Sequence, residues 1–325
     1  MIGPMSGPST DAVEVRIENG IGRVLLNRPA ALNALTTPMV MAITDALSSW
    51  REEPLRAVLI ESASPKAFCA GGDIRAVRQH TLDGRPELSE TFFAAEYTMN
   101  RMLATYPHPV IALVDGVCMG GGLGLSVHGA YCVVTERAVM AMPETAIGFF
   151  PDIGASYFLP RLRGATGMYL GLTGARVNGP DAVLCDLATH LVPSDRIGAL
   201  TEALIAGGDV AGTVGAYAIE PSDGPLTAAD DEIDQAFSAA GVAEIRTRLE
   251  AAASDWAREQ LAVLDRMSPA SLEITYDLIS QGRDRSLDAC LHAEFEAARE
   301  VTRSPDFVEG VRAVLVDKDH DPHWQ

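Results

Sequence analysis

Three adjacent glycines, Gly120-Gly121-Gly122, stand where an apolar, β-branched run ends and a helical segment begins. No other feature constrains the chain as much. Pro109 to Val114 reads as a buried strand, and Leu123 to His128 as the first turns of a helix. Backbone without Cβ atoms turns sharply at such a junction and lets another group come close. A helix starting there leaves N–H groups unbonded and directed at the same spot. The place suits an anion, or an oxygen that becomes one during a reaction. A tight turn with no ligand is the competing reading.

The rest of the chain reads as alternating strands and helices. Val13 to Glu18 alternates with period two, Asn19-Gly20 supplies a turn, and Gly22 to Leu26 resumes, which predicts a β-hairpin. Thr36-Thr37-Pro38 has the form of a helix start, opening a helix to about Trp50. Arg56 to Glu61 is a further buried strand. Ala67 to Ile74 repeats the glycine logic, with small residues and Gly71-Gly72 ahead of a helix-compatible segment. Glu87 to Thr105 reads as a long helix with Phe92, Phe93, Tyr97, Met99, Met102 and Leu103 on its apolar positions. Glu96 lies among them, and a solvated helix face is its default placement.

Tyr131 to Thr135 and Val139 to Met142 are short strands. Such repeated units predict a mixed or parallel sheet flanked by helices. Pro143 to Gly154 is a Gly/Pro-punctuated apolar loop holding two acids, Glu144 and Asp152. Apolar surroundings favour the neutral form of a carboxyl, which suits acid–base work; the bland alternative makes both acids helix-start residues. Residues 207–230, rich in Gly, Ala, Pro and Asp, read as a linker. Residues 231–316 read as helical, with Ser268-Pro269 and Ser304-Pro305 as helix starts.

Composition excludes several functions. With 25 Lys and Arg against 44 Asp and Glu, the formal charge is −19, which opposes binding to nucleic acid or an anionic membrane. The cysteines, at 69, 118, 132, 185 and 290, are scattered without a C-x-x-C pair, arguing against a disulfide framework or zinc ribbon and suiting a reducing cytosol. No apolar run reaches the roughly 18 residues of a membrane span. Residues 1–12 read as a frayed tail rather than a signal or transit peptide. The glycines from 120 onward do not form a G-x-G-x-x-G dinucleotide loop. Gly124 to His128 departs from a nucleophile elbow by placing histidine where the second glycine belongs. His320 and His323 lack the partners a metal site needs.

Taken together, Leu26-Asn27-Arg28-Pro29 with Leu32-Asn33-Ala34-Leu35, Ala67 to Asp73, and Asp115-Gly116 with Gly120-Gly121-Gly122 resemble the crotonase (enoyl-CoA hydratase/isomerase) superfamily. Gly122 to Gly129, Ala141 to Gly148, Phe150 to Gly154, Tyr157 to Leu162 and the segment from Phe307 to Asp319 resemble its hydrolase branch, so the likeness covers nearly the whole chain. The resemblance implies an α/β crotonase-like core of β-β-α spiral units over residues 13–206, with an α-helical C-terminal region at 231–325.

By that resemblance, the backbone N–H groups of Ala70 and Gly121 form an oxyanion hole for a thioester carbonyl. Family hydratases carry a catalytic glutamate at the position of Gly124 and a second one at that of Glu144; this chain keeps only the second. A glycine has no proton to give, so the resemblance favours hydrolysis of a short branched hydroxyacyl-CoA, as in valine breakdown. Glu144 would act as general base or nucleophile, and Asp152 would orient the substrate or protonate the thiolate. Glu96 would bind substrate. Arg28, Lys66 and Arg75 fall in CoA-contacting segments, with Arg78 and Lys318 as further candidates; solvated surface charge is the alternative for each. No metal or redox cofactor is implied, and trimers or hexamers occur among relatives. An enoyl-CoA hydratase or isomerase, and a silent acyl-CoA-binding protein, are the alternatives.

Overall fold

The computed structural model describes residues 11–325. Most of the stretch read as a tail therefore lies outside the described residues, although Ala12 already accepts a 2.8 Å bond from the Asn27 N–H.

Among the described residues, ten strands form two sheets. β1 (Val13–Glu18) and β2 (Ile21–Leu26) make the expected antiparallel hairpin, Val13 opposite Leu26. Asn19 and Gly20 turn it with φ of 48° and 78°, the left-handed pair a two-residue hairpin needs. β3 (Ala57–Ser62), β4 (Ala67–Cys69), β5 (Val110–Val114), β6 (Val117–Met119), β7 (Tyr131–Val134), β8 (Val139–Ala141), β9 (Val177–Asn178) and β10 (His190–Leu191) follow. The larger sheet runs β1-β2-β3-β5-β7-β10, parallel from β2 onward, and the smaller runs β4-β6-β8-β9. All five residues of β5 and the first four of β3 are buried. Strands covered on both faces read as continuous apolar runs, which is why periodicity located them without alternation.

Capping set the helix starts. Thr36, Ser268 and Ser304 each accept a backbone N–H at the head of the helices Thr37–Trp50, Pro269–Gly282 and Pro305–Val311. The helix after the triple glycine is shorter than expected and spans Gly121–Ser126.

The chain divides into two compact units, and neither follows the expected contiguous boundaries. Of the described residues, one gathers 11–72, 98–140 and 177–224; the other gathers 73–97, 141–176 and 225–325. The expected 13–206 core is therefore interrupted twice by segments that cluster with the C-terminal helices. The expected linker is also corrected. Residues 210–217 form the helix Val210–Tyr217, capped by Asp209, and Val210 and Val214 pack with Ile21, Leu59, Ile111 and Val133 in the core of the first unit. Ile219 then bridges to Leu191. The small-residue composition suggested a linker, but the i, i+4 valines bury one face.

In the second unit, the C-terminal helix Pro305–Val311 presses its backbone against the turn that carries Glu144. A Cβ on Gly148 would lie 2.3 Å from the Asp306 carbonyl oxygen, and one on Gly310 would lie 2.4 Å from the Ile147 carbonyl carbon. Only glycine permits either approach.

Candidate active site

The glycine-rich loops form one cluster, within the first unit. Gly120 turns with φ of 47°, and a Cβ on Gly122 would fall 2.4 Å from the Cys69 carbonyl oxygen. A Cβ on Gly71, at φ 100°, would meet the Met119 carbonyl oxygen at 3.1 Å and the Gly121 nitrogen at 3.6 Å. The loops after β4 and β6 therefore touch backbone to backbone, as the sequence suggested.

One expected donor needs correction. The Ala70 N–H is taken: it donates to the Leu32 carbonyl at 2.9 Å, because Leu32 adopts a left-handed turn beside the exit of β4. The N–H groups of Gly72, two residues on, and of Gly121 meet no protein acceptor among the described residues. The Ala70 N–H is therefore not free as expected, whereas those of Gly72 and Gly121 are unbonded within the described residues. Ser126 is fully buried and bonds the Leu123 carbonyl, far from the behaviour of an exposed nucleophile.

The second cluster lies wholly in the second unit and is acidic. Glu96, Glu144, Asp152 and Glu294 are 2%, 8%, 5% and 0% exposed. The default placement of Glu96 on a solvated face is overturned. Its helix, Pro86–Ala104, turns that face inward beside Phe92, Phe93 and Tyr97, all buried. Phe149 extends the apolar wall, stacking on Phe93 at 5.5 Å and Phe150 at 4.4 Å and tilting against Phe307 at 5.8 Å.

These surroundings shift the carboxyls. Burial raises Glu144 well above the usual carboxylate range, and the nearby Asp152 and Glu96 add to the effect. Burial, then the Asp152 charge, raises Glu96 likewise. Asp152 is pushed up to about 7 by burial, although a hydrogen bond from Tyr97 pulls the other way. The Glu144 Oε2 and Glu96 Oε1 atoms are buried and receive no hydrogen bond from the protein. Glu144 does begin a 3-10 turn, Glu144–Ile147, as the bland reading held. Asp152 caps nothing; Gly154 occupies the N-cap of Ala155–Phe158, and the Asp152 carboxylate faces the Tyr97 hydroxyl.

Two members of the cluster escaped the sequence reading. Tyr97 was placed on an apolar face, and its hydroxyl donates to Asp152 Oδ2 at 2.7 Å. A buried tyrosine needs such a partner, which was the available signal. Glu294 accepts from the Gly154 N–H at 2.7 Å and the Ser156 N–H at 2.9 Å. Its signal was register: it sits on the buried positions Cys290, Leu291, Ala298 and Val301 of the helix Leu287–Val301.

The basic candidates divide. Arg28 is half-buried with Nη1 on the Ala34 carbonyl at 2.8 Å, and Arg78 Nε, on the helix Ile74–Leu82, holds the Val308 carbonyl of the helix Pro305–Val311 at 2.8 Å. Lys66, Arg75 and Lys318 are exposed.

The first unit thus holds backbone donors without a protein acceptor, and the second a buried set of carboxyls raised above their usual range. Residues 21–325 match the family described as enoyl-CoA hydratase/isomerase. This chain belongs to that family. A mitochondrial 3-hydroxyisobutyryl-CoA hydrolase of Xenopus tropicalis is 43% identical over 314 residues, covering 93% of this chain and 81% of that protein. The mitochondrial 3-hydroxyisobutyryl-CoA hydrolase of Homo sapiens is 41% identical, over 99% of this chain and 86% of that one. Among solved structures, a carnitinyl-CoA dehydratase from Mycobacterium thermoresistibile superposes with a TM-score of 0.92 at 37% identity, covering 97% of this chain and 92% of that one.

Proposed function

We propose that this enzyme hydrolyses the thioester of a short branched hydroxyacyl-CoA, with 3-hydroxyisobutyryl-CoA the favoured substrate, giving 3-hydroxyisobutyrate and CoA. The observation that carries the reading is the makeup of the acid set. By the resemblance, Gly124 stands where family hydratases have an acid, whereas Glu144 is kept, buried, with Oε2 unbonded among the described residues. Water addition across a double bond loses one of its two acids; acyl transfer to water does not need it. The relatives' names point the same way.

In this reading the Gly72 and Gly121 N–H groups receive the carbonyl oxygen as it gains charge, each such donor contributing about 2.7–4 kcal/mol. Glu144 has two routes: it takes a proton from the attacking water, or it attacks the carbonyl carbon itself to give an anhydride that water then opens. Both start from its ionised form. Asp152, pushed up to about 7, holds the substrate hydroxyl or protonates the thiolate. Glu96 adds a substrate-facing carboxyl, and the exposed Lys66 and Arg75 suit CoA phosphates. The chemistry draws on no metal or redox cofactor.

The enzyme acts in a reducing compartment as a homo-oligomer, trimer or hexamer. All five cysteines are buried free thiols, which supports the compartment. The cytosol is one such place, and the mitochondrial names of the relatives indicate another. No helix among the described residues is long and apolar enough to cross a membrane.

The name of the dehydratase structure favours a second reading, reversible hydration of an enoyl-CoA. Thiol release separates the two. The test follows thiol release from 3-hydroxyisobutyryl-CoA and, in parallel, hydration of crotonyl-CoA, with Glu144→Ala as control. Release that collapses in the variant, with crotonyl-CoA untouched, is the expected result. Hydration without thiol release overturns the hydrolase.

A further inference from the structure

The Asp152 loop is held in a shape its own residues do not favour. Ile153 has φ of 58° and Gly154 φ of 86°, so two successive residues are left-handed, and the first is β-branched and fully buried. A β-branched residue in that region is an outlier which only strong surrounding contacts sustain. One side chain grips the residues that follow. Glu294 Oε2 accepts the Gly154 N–H at 2.7 Å, while Oε1 accepts the Ser156 N–H at 2.9 Å and the Ser156 hydroxyl at 2.5 Å. The carboxyl is fully buried, and among the described residues backbone and hydroxyl donors meet it. On the other side of the strained residue, Asp152 Oδ2 takes the Tyr97 hydroxyl at 2.7 Å.

We infer that Glu294 is a positioning residue for the hydrolysis: by gripping the 154–156 backbone it forces Ile153 left-handed and thereby aims the Asp152 carboxyl at its working place. The inference deepens the proposed function and rests on it for the reaction. Glu294 meets no substrate itself. The geometry suits a carboxylate specifically, since both oxygens accept. Glutamine at this position turns an NH2 group toward a backbone N–H and so loses one arm of the grip, while aspartate keeps the charge but falls short by one methylene.

The test compares Glu294→Gln, Glu294→Asp and Ser156→Ala in the full-length protein, alone and combined with Asp152→Asn. Glu294→Gln is expected to lower kcat by about a hundredfold, the cost of a displaced catalytic group, with little change in KM. Glu294→Asp recovers part of that loss, and Ser156→Ala, which keeps the N–H arm, lies between Glu294→Gln and the wild type. In the Asp152→Asn background both substitutions add almost nothing, because the residue they position is already gone. A purely structural role predicts losses that multiply in that background and follow the drop in melting temperature.

An activity-independent readout keeps this test separate from the proposed reaction. In 13C-labelled protein, the Asp152 carboxyl titration is expected to move in Ser156→Ala, which leaves the Glu294 carboxyl in place, as Tyr97 loses its alignment. If the wild type hydrolyses no thioester yet the titration moves, the reaction is wrong and the positioning stands. If the titration and kcat both stay within about threefold of wild type, or the losses multiply with Asp152→Asn, the inference is overturned. Should Glu294→Gln not fold, Ser156→Ala carries the same comparison.

Discussion

The Tyr97 hydroxyl donates to Asp152 Oδ2 at 2.7 Å, inside a buried acidic cluster. This bond opposes burial in setting the Asp152 proton affinity. Removing it in Tyr97→Phe raises the Asp152 titration beyond about 7. The variant should also lose about ten- to a hundredfold in kcat/KM, as expected for one hydrogen bond to a charged group. Carboxyl NMR and steady-state thiol release check the two effects separately.

The pH dependence of hydrolysis should betray the buried acids. Burial raises Glu144 well above its ordinary 4.5, and both proposed routes need it ionised. Activity therefore climbs with pH past the range in which an ordinary carboxylate has finished titrating. A rate already flat above pH 5.5 contradicts that placement of Glu144.

The same acids act against stability. The folded protein holds the Asp152 proton more tightly than the unfolded chain, about 7 against an ordinary 3.8. Folding is therefore strongest, as far as this group is concerned, below the lower value and weakens as pH rises through the upper one. Asp152→Asn removes that loss while abolishing most activity. Its melting temperature should exceed that of the wild type above pH 7, by about 2–4 °C per kcal/mol recovered, and match it near pH 4. Thermal scans across pH decide this.

Gly122→Ala places a methyl group 2.4 Å from the Cys69 carbonyl oxygen. Backbone cannot yield as a side-chain tip can, so about 1–3 kcal/mol of stability should be lost. The loops carrying Gly72 and Gly121 also part, and hydrolysis should fall further than the stability loss explains. Urea midpoints beside kcat test both.

Much of this was legible in the chain. Period two and Asn19-Gly20 gave the hairpin, Thr36, Ser268 and Ser304 marked helix starts, and the glycines marked a place of close backbone approach. Each of these is decided by a few neighbouring residues. What local pattern misjudged was decided by distant ones. Glu96 and Glu294 sit on helix faces whose burial depends on partners far along the chain, and Val210 and Val214 find their core only after the sheet has formed. Ala70 and Gly72 differ in one respect invisible to sequence, whether a carbonyl 38 residues upstream of Ala70 takes its N–H.

The close packing of Gly148 on Asp306 and of Gly310 on Ile147 ties the Glu144 turn to nearly the last helix of the chain. During synthesis the hairpin and the parallel strands can assemble while the ribosome is still working, but the turn bearing Glu144 waits for residues more than 150 positions later. A nascent or prematurely terminated chain thus lacks the packing partners of the Glu144 turn, and that turn is completed among the last events of the molecule's making.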